Sequence, residues 1–435
     1  MMLILEVLLG LCSKQGDVTA AFVHALIDSR ADVYVAMPHG FGIKGKVLKL
    51  RRCLYGLNDS PRQYWLYTVE KMEICGLKQS TLDPCLFVGD KVICVIHVDD
   101  SLFWAKCDKD IAKVTERLRG EGVQLQPEDD TAGFLGIDLR RDPETGFIEM
   151  TQTGLIDRII RALGLDSGNV TVKWTPASRE PLVKDLNGPP ATGEFNYASV
   201  IGMLLYLSGN TRPDLAYAVN CCARYMTNPR ESHEVGLKRI GRYLKSTRLR
   251  GTIIQPVLGA SRSLRIDCYP DADFAGLYGY ERYDDPTCVK SRTGFVITLN
   301  DAPMLAKLSL QSISAVSTME AEILALAHAC QELFPIIDLA EFLGSIVGLP
   351  SEPTSMQVSI HEDNAGALIL ADMIPPQFTP CSKTYDVKTI WFREEIKRRG
   401  IKLLKIETSE QLGDLFTKGL STKAFVHLRK KLLGW

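Results

Sequence analysis

Two aspartates, Asp99 and Asp100, stand side by side in the run VICVIHVDDSLFWA. β-Branched and aromatic residues flank them on both sides, which reads as strand, tight turn, strand. A lone acidic pair at a turn is ordinarily just solvated. Two carboxylates held together inside a fold are costly unless a cation neutralises them. A third candidate, Asp17, opens the upstream run DVTAAF. Three carboxylates converging on paired Mg²⁺ ions give the arrangement that two-metal phosphoryl transfer uses.

The elements that must carry these acids follow from the pattern. Residues 1 to about 110 read as mixed α/β, with a helix leading into the strand of Asp17 and a short strand from Tyr34 to Met37 closed by Pro38. SPRQYWLYTVEKMEIC has helical spacing, with Pro61 in the first turn where its missing N–H is harmless. Tyr64 and Trp65 on it read as core. A further helix is expected from Lys109 to Arg119, then a hairpin in FLGIDLRRDPETGFIEMTQ turned at Pro143–Gly146. The Pro-, Gly- and charge-rich stretch from about 175 to 195 reads as a linker. Residues 197 to 248 look all-helical, with Leu237, Ile240, Tyr243 and Leu244 at helical spacing. From about 262 the pattern becomes three strands (LRIDCYP, TGFVITL, LSLQSIS), a long helix from Met319 to Leu343, a strand (MQVSIHED), helices, and a last strand in GIKLLKIET. That order is consistent with an α/β layer of RNase H type.

Composition sets wide bounds. With 435 residues the chain has room for several domains, and 46% hydrophobic with 24% charged residues is ordinary for a globular protein. A net charge of −1 gives no global sign of a nucleic-acid partner, so its distribution matters more. From Lys383 onward there are 13 Lys and Arg against 6 Asp and Glu, and from Arg212 to Arg250 there are 9 against 3. Such stripes suit a phosphate backbone, although solvated helix faces look the same. The twelve cysteines include no CxxC pair or Cys–His cluster, which indicates neither zinc nor a disulfide framework. Reduced thiols fit a cytoplasmic or nuclear setting. The opening MMLILEVLLGLCS lacks a basic start and carries Glu6, so a core helix is expected rather than a leader, and no other run reads as a membrane span.

The runs DVTAAFVHALIDSRADVYVAMPHGF, LYGLNDSPRQYW and HVDD, then YASVIGMLLYLSGNTRPDLAYAVN, resemble the reverse transcriptase of copia-type LTR-retrotransposon Pol polyproteins. DADFAG, KSRTGFVITL, STMEAEILALAHA, HEDNAGAL and LGDLFTKGL resemble the RNase H domain that follows it. The resemblance implies an α/β (α+β) fold with a reverse-transcriptase palm over 1–175, a linker and helical thumb or connection over 176–260, and an RNase H-like mixed sheet with flanking helices over 261–435. It implies that Asp17, Asp99 and Asp100 hold two Mg²⁺ ions for polymerisation, and that Phe22, Gly56 and Arg62 face the nucleotide. It implies that Asp271, Glu322, Asp363 and Asp414 hold two more Mg²⁺ ions, with Mn²⁺ as a substitute, for cleavage of RNA. Asp273 and Glu320 are neighbours close enough for the assignment to slip by two residues. The implied partners are an RNA template, a DNA primer, an RNA/DNA hybrid and dNTPs, with no membrane.

Departures from the family pattern weigh on the polymerase half. Its basic finger region has no counterpart before Asp17, Asn58 and Asp59 replace Lys-Gln, and His97 stands where the family has Tyr. In the second half, Thr384 and Ile390 replace two histidines and DFAG replaces DWAG. Three readings result: a complete polymerase and nuclease, a chain with a silent polymerase and a surviving RNase H, or a non-catalytic nucleic-acid-binding remnant. An integrase shares the RNase H-like fold, but the sequence has no His/Cys zinc module.

Overall fold

A computed structural model of the chain describes all residues except 29–30, 42–44, 129–131, 258–262, 350–355 and 374–390. Thr384 and Ile390 therefore lie outside the described residues. The chain forms two compact units, Leu9–Leu135 and a second made of Met1–Leu8 with Gly136–Trp435. Helix α1 (Met2–Leu9) is apolar and buries Met2, Ile4 and Leu5 as a core helix. Its Glu6 is also buried, and Arg141 Nε meets that carboxylate at 2.6 Å.

Within Leu9–Leu135, β1 (Cys12–Val18) is followed by a short ribbon of Tyr34–Ala36 against Val47–Lys49 and by α2 (Ser60–Ile74). Strands β2 (Lys78–Gln79), β3 (Leu86–Val88), β4 (Val92–His97) and β5 (Asp100–Ala105) lead to α3 (Asp108–Gly120) and β6 (Leu125–Glu128). The sheet is antiparallel in the order β2-β3-β4-β5-β1-β6. The pleat of the apolar strands VICVIH and SLFWA turns alternate residues to one face, which puts Cys94, Ile96 and Phe103 into one core with Tyr64 and Met72 of α2 and Ile111 and Leu118 of α3.

In the second unit, β7 (Ile137–Arg141) and β8 (Ile148–Thr151) form the expected hairpin, and α4 (Thr153–Ala162) follows. Residues 175–195 form no helix or strand and lie inside the second compact unit, where Thr192 N–H donates to Glu234 and Lys184 N–H donates to Glu281. The helical stretch consists of α5 (Tyr197–Asn210), α6 (Ala216–Ala223) and α7 (Glu231–Ser246), then strand β9 (Thr252–Ile254). Next come β10 (Arg265–Asp273), β11 (Arg292–Leu299), β12 (Ala302–Leu310), the 30-residue α8 (Thr318–Val347), β13 (Gln357–Glu362), α9 (Ala365–Asp372), α10 (Phe392–Arg398), β14 (Lys402–Lys405), α11 (Asp414–Thr417) and α12 (Thr422–Leu433). The sheet order is β12-β11-β10-β13-β14, with β10–β13 and β13–β14 parallel and the other pairs antiparallel. This is the mixed sheet of the RNase H-like fold.

The third strand is Ala302–Leu310 rather than LSLQSIS, so it begins six residues earlier than the pattern suggested. Asn300 and Asp301 both have positive φ (50° and 70°) and turn the chain straight from β11 into β12. One core joins Ile156 and Ile159 of α4, Leu204 of α5 and Leu237, Ile240, Tyr243 and Leu244 of α7 to Val296 of β11 and Phe416 of α11. Each such side chain contributes about 1.5–3 kcal/mol by leaving water. The helices between 197 and 248 thus share their interior with the RNase H-like sheet. Arg212, first of the basic stripe, is itself fully buried and forms two bonds to Asp214. Tyr243 O–H donates to the same carboxylate at 2.6 Å, and Arg429 donates to the Tyr243 oxygen. Helix α8 has the length and apolarity of a membrane span. Fifteen of its residues are buried, including Leu326, Leu333 and Leu343, which is the character of a core helix.

Candidate active site

In the first unit the two acidic motifs meet through strand register. Asp17 at the end of β1 is the cross-strand partner of Asp100 at the start of β5, and Val18 N–H donates to Asp99 O at 3.0 Å. Ser101 Oγ donates to Gly16 O at 2.8 Å. Gly16 has a packing reason, because a Cβ there would meet Leu125 Cδ1 at 2.7 Å. The turn between β4 and β5 is Val98–Asp99, and Val98 takes φ +57°, an uncommon value for a β-branched residue. Asp17, Asp99 and Asp100 are all half-buried.

Phe22 sits on a 3₁₀ turn, with its ring 4.7 Å from Tyr55 and edge-on to Tyr64 at 5.8 Å. That contact joins the DVTAAF motif to LYGLNDSPR. The second motif is a tight loop closed by Ser60, whose Oγ donates to Leu54 O and accepts from Leu54 N–H. Gly56 supplies the positive φ of +94° at its apex. Arg62 is exposed on the first turn of α2.

The second unit brings its acids closer. Asp271 leaves the centre of the sheet on β10, Glu322 points inward from the second turn of α8, and Asp363 follows the last residue of β13. One carboxylate oxygen from each lies within 4.8 Å of the others. Among the described residues this is the one such group of three, so Asp17, Asp99 and Asp100 do not close to the same degree. Asp271 is 1% exposed and Glu322 8%. The neighbours that left each assignment open have other duties. Ser317 caps α8 by accepting from Glu320 N–H, and the Glu320 carboxylate accepts from Val316 N–H, so Glu320 is taken up in the start of the helix. Asp273 faces Arg292 at 3.9 Å.

Asp414 begins α11, a single turn lying against the strand of Asp271. Two glycines permit that approach. A Cβ on Gly413 would meet Asp271 Cβ at 2.7 Å and Tyr269 O at 2.8 Å, and one on Gly294 would meet Phe416 Cβ at 2.7 Å. Gln411 ties the assembly together: its Nε2 donates to Pro270 O at 2.9 Å and His361 O at 3.1 Å, and its Oε1 accepts from Gly413 N–H. It thereby fixes the ends of β10 and β13 where Asp271 and Asp363 emerge. Thr417 O–H donates to Asp271 Oδ2, and Thr408 O–H donates to Asp363 at 2.8 Å. Lys418 Nζ lies 2.7 Å from Asp414 Oδ1 and 3.5 Å from Asp271 Oδ1. Gln411, Thr417 and Lys418 all stand in the run QLGDLFTKGL, but nothing in their spacing marks them as partners of Asp271.

The electrostatics are those of a site short of positive charge. Burial, reinforced by Asp271, Glu362 and Asp363, pushes Glu322 up to about 10. Burial and the Asp271 charge push Asp414 up to about 7. Burial raises Asp271 too, with Lys418 opposing. Glu322 Oε2 and Glu362 Oε2 are buried without a hydrogen-bond partner. Orphaned carboxylate oxygens in an all-oxygen donor set fit a hard divalent cation such as Mg²⁺ or Mn²⁺.

Comparison with known proteins places these sites in context. Residues 1–178 match the reverse transcriptase (RNA-dependent DNA polymerase) family. Over 96% of its length the chain is 29% identical to the Retrovirus-related Pol polyprotein from transposon RE1 of Arabidopsis thaliana, of which it covers 27%. Over 97% it is 29% identical to the corresponding polyprotein from transposon TNT 1-94 of Nicotiana tabacum, covering 31%. It is also 22% identical over 96% to the Transposon Ty1-JR2 Gag-Pol polyprotein of Saccharomyces cerevisiae, covering 23%. The chain thus spans less than a third of the length of each of these relatives.

Proposed function

We propose that this chain, whose first 178 residues match the reverse transcriptase family and which is similar to copia-type retrotransposon Pol polyproteins along nearly its whole length, cleaves the RNA strand of an RNA/DNA hybrid at the Asp271 centre. The observation that carries the reading is the convergence of carboxylate oxygens of Asp271, Glu322 and Asp363 within 4.8 Å of one another, beside the buried, unpartnered Oε2 of Glu322. These three residues would hold Mg²⁺, with Mn²⁺ as a substitute, and Asp414 would join from the other side of Asp271. A divalent cation bound there supplies positive charge to a phosphodiester and acidifies water. The protein's own part is positional. Gln411 locks the two strand ends, Gly413 lets Asp414 approach, and Glu322 offers a buried carboxylate oxygen with no other partner.

A polymerase reading is favoured by the Asp17–Asp100 register and by the family of the first 178 residues. On that reading Asp17, Asp99 and Asp100 hold the cations, Phe22 faces the sugar of the incoming dNTP, and Gly56 and Arg62 flank it. RNA template and DNA primer are then the partners, and a virus-like particle in the cytoplasm is the setting.

One labelled RNA/DNA hybrid with a recessed primer, Mg²⁺ and dNTPs tests both halves at once. RNA cleavage lost in Asp363→Asn and kept in Asp99→Asn is the expected result for the nuclease. Extension lost only in Asp99→Asn would establish the polymerase. No cleavage by the parent chain would overturn the proposal.

A further inference from the structure

The two strands that carry Asp271 and Asp363 separate before they reach the centre. Strands β10 and β13 pair in parallel from Arg265–Gln357 to Cys268–Ile360, and the pairing ends there. Each strand continues with its other neighbour, β10 with β11 as far as Asp273–Arg292 and β13 with β14 as far as Glu362–Lys405. Pro270 contributes to the break, because it brings no N–H to a ladder. Asp271 and Asp363 each stand three residues past Cys268 and Ile360, the last backbone pair that joins their strands.

Side chains close the gap. Gln411 Nε2 donates to Pro270 O and to His361 O, one carbonyl from each strand. His361 supplies the second tie. Its Nε2 lies 2.8 Å from Asp267 Oδ1, and an ionised carboxylate only accepts, so that nitrogen carries the proton. Its ring stacks on Tyr269, with centroids 4.6 Å apart and planes 10° from parallel. Asp267 is itself fixed by Arg265 Nε at 2.8 Å, and Arg265 also meets Asp301. Asp267, Tyr269 and Asp271 follow one another at two-residue steps on β10 and so share a face. The ring of His361 thus crosses from the strand end of Asp363 to the face that carries Asp271. We infer that His361 is a positioning residue of this centre: its clasp on Asp267 and Tyr269 holds the end of β13 against β10 and so sets the separation of Asp271 and Asp363 before a cation binds. The inference rests on the nuclease reading above.

The consequence falls on cation affinity more than on the rate of cleavage. Carboxylates already held at the bound separation need no ordering when the cation arrives, and that appears as tighter binding. Without the clasp the ligands remain, and a cation at saturating concentration draws them together. Loss of a supporting contact behind a metal site weakens binding about 10–100-fold, and a clasp that acts through a strand belongs at the lower end, about tenfold.

The test is Mn²⁺ binding to the full chain by calorimetry, with the binding that Asp271→Asn retains subtracted, alongside the Mg²⁺ concentration that gives half-maximal RNA cleavage. His361→Phe keeps a ring for Tyr269 and removes the N–H, while Asp267 retains Arg265. His361→Gln keeps an N–H that reaches Asp267. Ile297→Val, buried in β11, controls for a sheet that is merely less stable. The expected result for His361→Phe is about tenfold weaker Mn²⁺ binding, an equal rise in the Mg²⁺ requirement, and a maximal rate within about threefold of the parent. Binding should stay within about threefold of the parent for His361→Gln and about twofold for Ile297→Val. If His361→Phe does not hold its fold, Asp267→Ser removes the same tie from the side of β10 and should give the same change. Mn²⁺ binding by His361→Phe within about twofold of the parent overturns the inference and leaves the nuclease reading standing. So does an equal loss in Ile297→Val, or a loss in His361→Gln as large as in His361→Phe. A parent that leaves the hybrid intact, and whose Mn²⁺ binding Asp271→Asn does not change, overturns the nuclease reading itself.

Discussion

Gly413→Ala isolates the contribution of geometry to the Asp271 centre and its proposed cleavage of RNA, because it changes no charge and removes none of the proposed ligands. Gly413 has φ −56° and ψ −31°, a helical conformation that alanine adopts without strain. The obstacle is space. The added Cβ would lie 2.7 Å from Asp271 Cβ and 2.8 Å from Tyr269 O, where ordinary contact begins at 3.4 Å. Neither neighbour is a flexible side-chain end, so α11 must withdraw by about 0.7 Å, carrying Asp414, Thr417 and Lys418 with it. A displacement near 1 Å in a catalytic constellation costs on the order of 10²-fold in rate, and overpacking of this kind costs about 1–3 kcal/mol of stability. The assay is Mg²⁺-dependent cleavage of end-labelled RNA in a hybrid, well below the unfolding temperature. Gly154→Ala is the control, since nothing lies within 4 Å of a Cβ there. We expect about a hundredfold loss of cleavage for Gly413→Ala and none for Gly154→Ala. Cleavage by Gly413→Ala within about threefold of the parent would refute the claim that α11 must lie this close to β10.

Three further outcomes follow from the same structure. Asp214→Asn strips the carboxylate from the fully buried Arg212 and should cost about 3–5 kcal/mol in urea unfolding, whereas a loss below about 1 kcal/mol would mean that the pair is not buried as described. His233 accepts from Arg230 N–H at 2.9 Å and stacks on Tyr225, and burial lowers its pKa below 6.5; the unfolded chain therefore binds the proton first, and this stabilisation is present above pH 6.5 and lost as pH falls. The thermal midpoint should drop more between pH 7.5 and pH 5.5 for the parent than for His233→Gln, and equal drops would remove His233 from the account. Glu322→Gln should abolish RNA cleavage, while Glu320→Gln, at a helix cap, should lower stability by about 1 kcal/mol and leave cleavage within a few-fold; the reverse pattern in a cleavage assay would exchange the two residues.

Much of this architecture was legible in the sequence, for reasons that particular residues make plain. The β-branched and aromatic residues flanking Asp99 and Asp100 specified their hairpin, and helical spacing specified the buried stripe of α7. Val98 was not legible as a left-handed turn residue, since β-branching argues against that conformation. The start of strand β12 is hard to read because Asn300–Asp301, the positive-φ turn that opens it, sits between two apolar runs. For the acids of the second half, the pattern leaves a choice of two residues at two places. What separates Glu322 from Glu320 is a cap, and what separates Asp271 from Asp273 is an ion pair. Gln411 and Lys418 reach Pro270 and Asp271 across more than 140 residues of chain, a contact that local pattern does not encode.

The central claim is that Asp271, Glu322 and Asp363 form one cation-dependent centre acting on RNA in a hybrid. The most direct measurement is a Mg²⁺ titration of RNA-strand cleavage by the parent chain, Asp271→Asn, Glu322→Gln and Asp363→Asn, with both strands of the hybrid labelled. The account predicts Mg²⁺-dependent cleavage of the RNA strand by the parent, an intact DNA strand, and loss of about 10³-fold or more in every variant. Cleavage that survives in any of the three variants, or that persists in EDTA, would contradict it.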